Sequence, residues 1–144
     1  VKILIMGLPG SGKTALANRL VTMFNAVWLN ADEVRKEAND WDFSEEGRMN
    51  QSNRMFKLAQ EAVDNNRIVV ADFICPTENT RKDFNADYTV WMDTIKEGRF
   101  DDTNKMFQPP IEYDFKVTHI DAEMWSFLIK QDITEKYETG VHGK

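Results

Sequence analysis

Residues Gly7 to Thr14 read GLPGSGKT, a match to the phosphate-binding pattern G-x-x-x-x-G-K-[ST]. Such a loop works only between a buried strand and the start of a helix, so it constrains the fold as well as the ligand. Both neighbours are present. Val1 to Met6 is a short apolar run suited to a strand covered on both faces. Ala15 to Phe24 has apolar residues at helical spacing and contains neither Gly nor Pro. Gly7, Gly10 and Gly12 let the backbone turn its N–H groups toward one point, with Leu8, Pro9, Ser11 and Ala15 completing the cradle. Lys13 supplies a mobile positive charge for the β- and γ-phosphates of ATP, and the Thr14 hydroxyl is placed to coordinate Mg²⁺.

The remaining chain alternates strand and helix. Ala26–Leu29 reads as a second strand, followed by a helix to about Asn39 that Asn30 or Asp32 would cap. Ser44 opens a long helix carrying Met49, Phe56, Ala59 and Val63 on its apolar face and ending at Asn65-Asn66. Ile68–Ala71 predicts a third strand, Pro76 to about Phe84 another helix, and Asp87–Asp93 a fourth strand. Tyr113–His119 predicts a fifth strand. Asp121–Asp132 predicts a helix whose stripe of Met124, Trp125, Leu128 and Ile129 faces the core. The expected fold is α/β in three layers, a central, mostly parallel five-stranded sheet flanked by helices. Ligands in such sheets bind beyond the carboxyl ends of the strands. Residues 1–134 are expected to form one domain, with 135–144 a polar tail.

Composition narrows the setting. The chain has 144 residues, 42% hydrophobic and 11% aromatic, enough for a folded core. A net charge of −6 argues against broad nucleic-acid or acidic-membrane binding. No apolar run is long enough for a membrane span. One cysteine, Cys75, excludes an intrachain disulfide and a cysteine-based metal cluster. It reads as a small buried hydrophobe or a reactive thiol. With no leader pattern at the start, the expectation is a cytoplasmic protein. His119 and His142 have no partner pattern. The expected partners are a small-molecule nucleotide and, for assembly, a second copy of the chain.

Beyond the phosphate loop, the order of ADEVR (31–35), FSEEGR (43–48) and FICP (73–76) resembles the adenylylsulfate kinases, small ATP-dependent kinases of sulfate assimilation. The likeness runs from the first strand to about residue 93. It implies Asp32 as the base and magnesium-linked carboxylate and Arg35 as the holder of the substrate's phosphosulfate. It implies Phe43 as an aromatic stacking on the substrate adenine, with Arg48 and Gln51 in the same pocket. Ile74 and Cys75 fall where the backbone approaches that adenine, and Phe107 where a lid aromatic would stack. The implied reaction is phosphoryl transfer from ATP to the ribose 3′-hydroxyl of adenylylsulfate.

The departures are equally specific. Asn30 stands where the family has the first aspartate of its motif, and Ala31 where it has glycine. Gln51, Asn53 and Glu78 replace an asparagine and two arginines. These changes leave open another small metabolite or a polynucleotide end as acceptor, or a regulator that binds nucleotide without turnover. Residues 97–110 lack apolar periodicity and read as a lid whose Arg99 and Lys105 close over the triphosphate, or as a plain connection stiffened by Pro109-Pro110.

Overall fold

A computed structural model describes residues 1–98 and 101–137. The strands are β1 (Lys2–Met6), β2 (Val27–Asn30), β3 (Val69–Asp72), β4 (Tyr88–Met92) and β5 (Phe115–Val117), in the order β2-β3-β1-β4-β5. Every pairing is parallel, so the sheet is wholly rather than mostly parallel. The register places Ile5 opposite Asp72 and Val90, and Asn30 opposite Asp72. The helices are α1 (Lys13–Phe24), α2 (Ala31–Ala38), α3 (Glu45–Asp64), α4 (Glu78–Phe84), α5 (Asp101–Met106) and α6 (Ala122–Tyr137).

The three layers follow from strand alternation. Ile3 and Ile5 of β1 join a core cluster with Leu16, Ala17 and Leu20 of α1 and Ile129 and Ile133 of α6. Leu4 and Met6 point the other way, into a cluster with Val34 of α2, Met55 and Ala59 of α3 and Phe84 of α4. A strand buried on both faces needs apolar residues at every position, and Ile3 through Met6 are fully buried. The loop that follows β1 therefore hangs from a strand buried on both faces and paired on both edges.

Two apolar faces differ from expectation. On α3 the buried residues are Gly47, Gln51, Ser52, Met55 and Ala59, whereas Met49 is 58% exposed. On α6 they are Ser126, Ile129 and Ile133, while Met124 and Leu128 are exposed. On α6 the face that packs into the core carries Ile129 and Ile133, and Ser126, one turn earlier on that face, accepts there from Arg19 Nε of α1 at 2.9 Å. Helix α6 also continues past residue 134 to Tyr137, so the tail as expected begins inside a helix, and its residues 138–144 lie outside the described part. Among the described residues, no helix is long and apolar enough to cross a membrane.

Candidate functional site

The phosphate loop joins β1 to α1 at the carboxyl edge of the sheet, between neighbours β3 and β4. Gly7 is required by close approach: a Cβ there would stand 2.8 Å from the Met92 carbonyl oxygen. Gly12 is required by conformation, with φ 98° in the left-handed region at the N-cap of α1. Helix α1 thus begins with no side-chain cap and no acid in its first turn. Its leading N–H groups and positive end are left for an external anion. Ser11 Oγ is buried and has no hydrogen-bond partner among the described residues. These features fit a phosphate chain.

Lys13 folds back to donate from Nζ to the Leu8 carbonyl at 3.0 Å. Burial lowers its pKa to about 8, opposed first by the charge of Asp72 and then by that of Asp32. The ammonium thus feels the field of two carboxylates from a partly dry site. Thr14, next in sequence, is exposed on the first turn of α1. No cluster of three His, Cys, Asp or Glu side chains among the described residues forms a ready-made metal cage. That suits Mg²⁺, which usually arrives on phosphates and takes only one or two protein oxygens. The Thr14 hydroxyl and the carboxylates near Lys13 are the oxygen donors that would hold it.

Asp72 is the feature that motif reading missed. It is the last residue of β3 and is 2% exposed. It accepts from Trp28 Nε1 at 2.6 Å and from Asn30 Nδ2 at 3.0 and 3.2 Å. Burial raises its pKa, while the bonds from Trp28 and Asn30 pull it down. A signal existed: an apolar strand, Ile68–Ala71, ending in an acid beside the strand that carries the phosphate loop.

Helix α2 brings the next group. Its cap is Asn30, whose Oδ1 accepts from the Glu33 amide at 3.1 Å. Asp32 is therefore not spent on capping and stands exposed in the first turn. Arg35, three residues on, is 5% exposed and donates from Nη1 to the carbonyls of Asp40 and Asp42 at 3.0 and 3.1 Å. Its guanidinium carbon lies 4.4 Å from the centre of the Phe43 ring. Phe43 is 56% exposed, so its ring is presented to solvent rather than packed in the core. Arg48 donates from Nε to the Phe43 carbonyl at 2.9 Å and from Nη1 to Met106 Sδ. Gln51 is buried and donates from Nε2 to the Ala31 carbonyl, tying α3 to the start of α2. The structure thus gathers Arg35, Phe43 and Arg48 at one loop, with Gln51 supporting it from beneath.

The remaining residues cluster around α4. Cys75 has φ 46°, is fully buried, and contacts Thr80 Oγ1 through Sγ at 3.7 Å. Burial pushes its thiol up to about 12, so it is the buried hydrophobe and not a reactive thiol. Ile74 beside it is half-buried. Arg81 donates from Nε to the Cys75 carbonyl and pairs with Glu78 at 2.8 Å. The acid at Glu78 thus serves an ion pair within α4. The centre of the Phe107 ring lies 5.3 Å from the Arg81 guanidinium carbon.

The 97–110 segment is not structureless, because it contains α5. Asn104 bonds the Gly98 amide and carbonyl at 2.7 and 3.0 Å, and Gln108 donates to the Pro76 carbonyl at 2.7 Å. Just before it, Thr94 Oγ1 donates to the Ser11 carbonyl at 2.8 Å, fastening the chain to the phosphate loop. Lys105 is exposed on α5. Arg99, the other expected lid residue, and His142 lie outside the described residues.

A model of the adenylylsulphate kinase family matches residues 1–95. The bifunctional enzyme NodQ of Rhizobium meliloti (strain 1021) is 35% identical over 82 residues, which is 53% of this chain and 13% of NodQ. The chain therefore spans only a small part of that relative. Among solved structures, the hexameric APS kinase from Thiobacillus denitrificans gives a TM-score of 0.77 at 19% identity, over 96% of this chain and 29% of that one. The Mycobacterium tuberculosis APS kinase CysC in complex with AMPPNP and APS gives 0.70 at 18%, over 90% and 95%. At such identities the structural likeness establishes the fold alone. The family match is different in kind, since it covers about two-thirds of the chain and the whole stretch from β1 to β4 that builds the site. This protein belongs to the adenylylsulphate kinase family, a family of ATP-dependent kinases.

Proposed function

We propose that this protein transfers the γ-phosphoryl group of ATP to the ribose 3′-hydroxyl of adenylylsulfate, releasing ADP. The observation that carries this reading is the exposed Phe43 ring beside Arg35 and Arg48, a flat apolar surface next to cationic groups. A purine bearing a phosphosulfate needs that pair of chemistries. The family model supports it, as do the neighbouring kinase folds.

The residues divide the work. Gly7, Leu8, Pro9, Gly10, Ser11, Gly12 and Ala15 present backbone around the triphosphate, and Lys13 exchanges its bond to Leu8 for the β- and γ-phosphates. Mg²⁺, when bound with the nucleotide near Thr14, neutralises phosphate charge. Asp32, exposed and not needed for capping, takes the proton of the acceptor hydroxyl. Arg35, Phe43 and Arg48 orient the acceptor, Gln51 ties α3 to the start of α2, the backbone at Ile74 and Cys75 approaches the adenine, and Phe107 supplies a second stacking ring. Lys105 belongs to the segment that covers the site and excludes water.

The test is ADP release with adenylylsulfate and a panel of other hydroxyl acceptors, including polynucleotide ends. Adenylylsulfate is expected to stimulate release above every other acceptor. Another acceptor doing better would replace the substrate, and ATP binding without stimulation by any of them would replace the kinase by a nucleotide-binding regulator. Asp32→Asn is expected to lower kcat by about 10²–10⁴-fold with ATP affinity retained. Full activity in that variant removes Asp32 from the mechanism.

A further inference from the structure

Position 78 carries an acid where the resembled family has an arginine, and the ion pair with Arg81 does not by itself account for the exchange. The Glu78 side chain is 45% exposed, and a pair that open contributes little to stability. Its carboxylate has a second partner. The oxygen that accepts from Arg81 Nη1, Oε1, also accepts from the Ile111 amide at 3.3 Å. The Glu78 amide, the first of α4, donates to Gln108 Oε1 at 3.0 Å. An arginine at 78 has no acceptor for either Arg81 or Ile111, and would set two like charges side by side.

Arg81 holds the same place from the other side. Its side chain is 9% exposed, and all three guanidinium nitrogens are engaged. Nε donates to the Cys75 carbonyl at 2.9 Å, Nη1 to Glu78 and Nη2 to the Gln108 carbonyl. The ring of Phe107, one residue before Gln108, stands against the same guanidinium. The Gln108 amide closes the seam on the Pro76 carbonyl. Residues 107, 108 and 111, on the chain returning from α5, are thus each tied to position 76, 78 or 81. Arg81 is the spacer between them, touching the backbone at Cys75 with one nitrogen and the Gln108 carbonyl with another. Arginine suits that task because its planar fork reaches several acceptors in fixed directions while its face meets a ring.

We propose that Glu78 and Arg81 form a mount that sets the second wall of the acceptor site, fixing the Phe107 ring relative to the backbone at Ile74 and Cys75. Neither residue touches the acceptor, and both are positioning residues. A wall held by this many bonds presets the site for a rigid, flat base rather than for a flexible acceptor. The inference rests on the acceptor half of the proposed function, in which Phe107 is a stacking ring, and adds to it the work of the acid at 78.

The experiment is a double-mutant cycle on the whole chain, read by steady-state kinetics with adenylylsulfate and ATP and by hydrogen exchange over 107–111. Glu78→Ala is expected to raise the KM for adenylylsulfate about tenfold, with kcat and the KM for ATP within about threefold of the parent. Glu78→Gln keeps an acceptor oxygen for Ile111 and Arg81 and is expected to stay within about threefold throughout. In a Phe107→Ala background the effect of Glu78→Ala is expected to shrink below about twofold, because Glu78 acts through that ring. Exchange of the Gln108 and Ile111 amides is expected to quicken about tenfold or more in Glu78→Ala and to stay near the parent in Glu78→Gln. An unchanged KM in Glu78→Ala overturns the proposal. So does full additivity with Phe107→Ala, or an equal rise in both KM values, which marks a merely structural role. Glu78→Arg is expected to match Glu78→Ala in both readouts and decides if the alanine variant does not fold. If adenylylsulfate fails as acceptor, the proposed function fails and hydrogen exchange alone decides the mount. Protection lost in Glu78→Ala and kept in Glu78→Gln then supports it, and equal protection in the two overturns it.

Discussion

Replacing Gly47 by alanine reverses an ordinary expectation. In a helix interior that change normally stabilises by about 1 kcal/mol. Gly47 is in the first turn of α3, where a Cβ would stand 2.2 Å from the Asp42 carbonyl oxygen and 2.4 Å from Asp42 Cγ. Ordinary contact begins near 3.4 Å, so the 40–44 loop must retreat by more than an ångström. That loop is held by Arg35, which donates to the Asp40 and Asp42 carbonyls, and by Arg54, which pairs with Asp40 at 2.8 Å. Overpacking costs about 1–3 kcal/mol. Retreat also weakens two charge-assisted bonds, each worth about 1.5–3 kcal/mol. Set against the propensity gain, Gly47→Ala is expected to destabilise by about 2–4 kcal/mol, lowering Tm by on the order of 10 °C. Urea unfolding and thermal melts measure it, with exposed Glu46→Ala as a near-neutral control. A Tm equal to or above that of the parent would refute the seating of the loop on α3, and with it the placement of Phe43.

Three further outcomes follow from the site. Lys13→Ala should lower kcat by about 10²-fold or more and weaken ATP binding, measured by steady-state kinetics and calorimetry. Phe43→Ala should raise the KM for adenylylsulfate about tenfold with little change in kcat or Tm, since its ring is half in solvent. An unchanged KM would remove the stacking role. Cys75, with its thiol pushed up to about 12 from 9.0, should resist maleimide at pH 8 and react once the protein is unfolded in urea. Because the folded pKa lies above the unfolded one, its contribution to stability is present below pH 9 and is lost as pH rises from 9 toward 12. Relative to Cys75→Ala, the parent should lose about 1.4 kcal/mol per pH unit there.

What could be read without coordinates was local in the chain. The phosphate loop, its flanking strand and helix, and the alternation that builds a parallel sheet all depend on residues within a few positions of one another. So did Ser44 as the cap of α3, confirmed by the bond from the Gly47 amide to Ser44 Oγ. Choices between near-equal local options were not settled that way. Asn30 and Asp32 are both good caps, and the tertiary contact of Asn30 with Asp72 goes with Asn30 taking that place. Helix faces depended on partners far along the chain: Ile129 and Ile133 of α6 join the core cluster of β1 and α1, and Ser126 on the same face bonds Arg19, 107 residues earlier. Asp72 shows the limit most clearly. It stands in sequence as one acid after an apolar run, and becomes part of a site only when two strands bring Trp28 and Asn30 to it from more than forty residues away. Sequence determines which backbone conformations are affordable, since that is a matter of neighbouring residues. Which polar groups are buried together, and so which charges can act on a ligand, is decided by long-range packing alone.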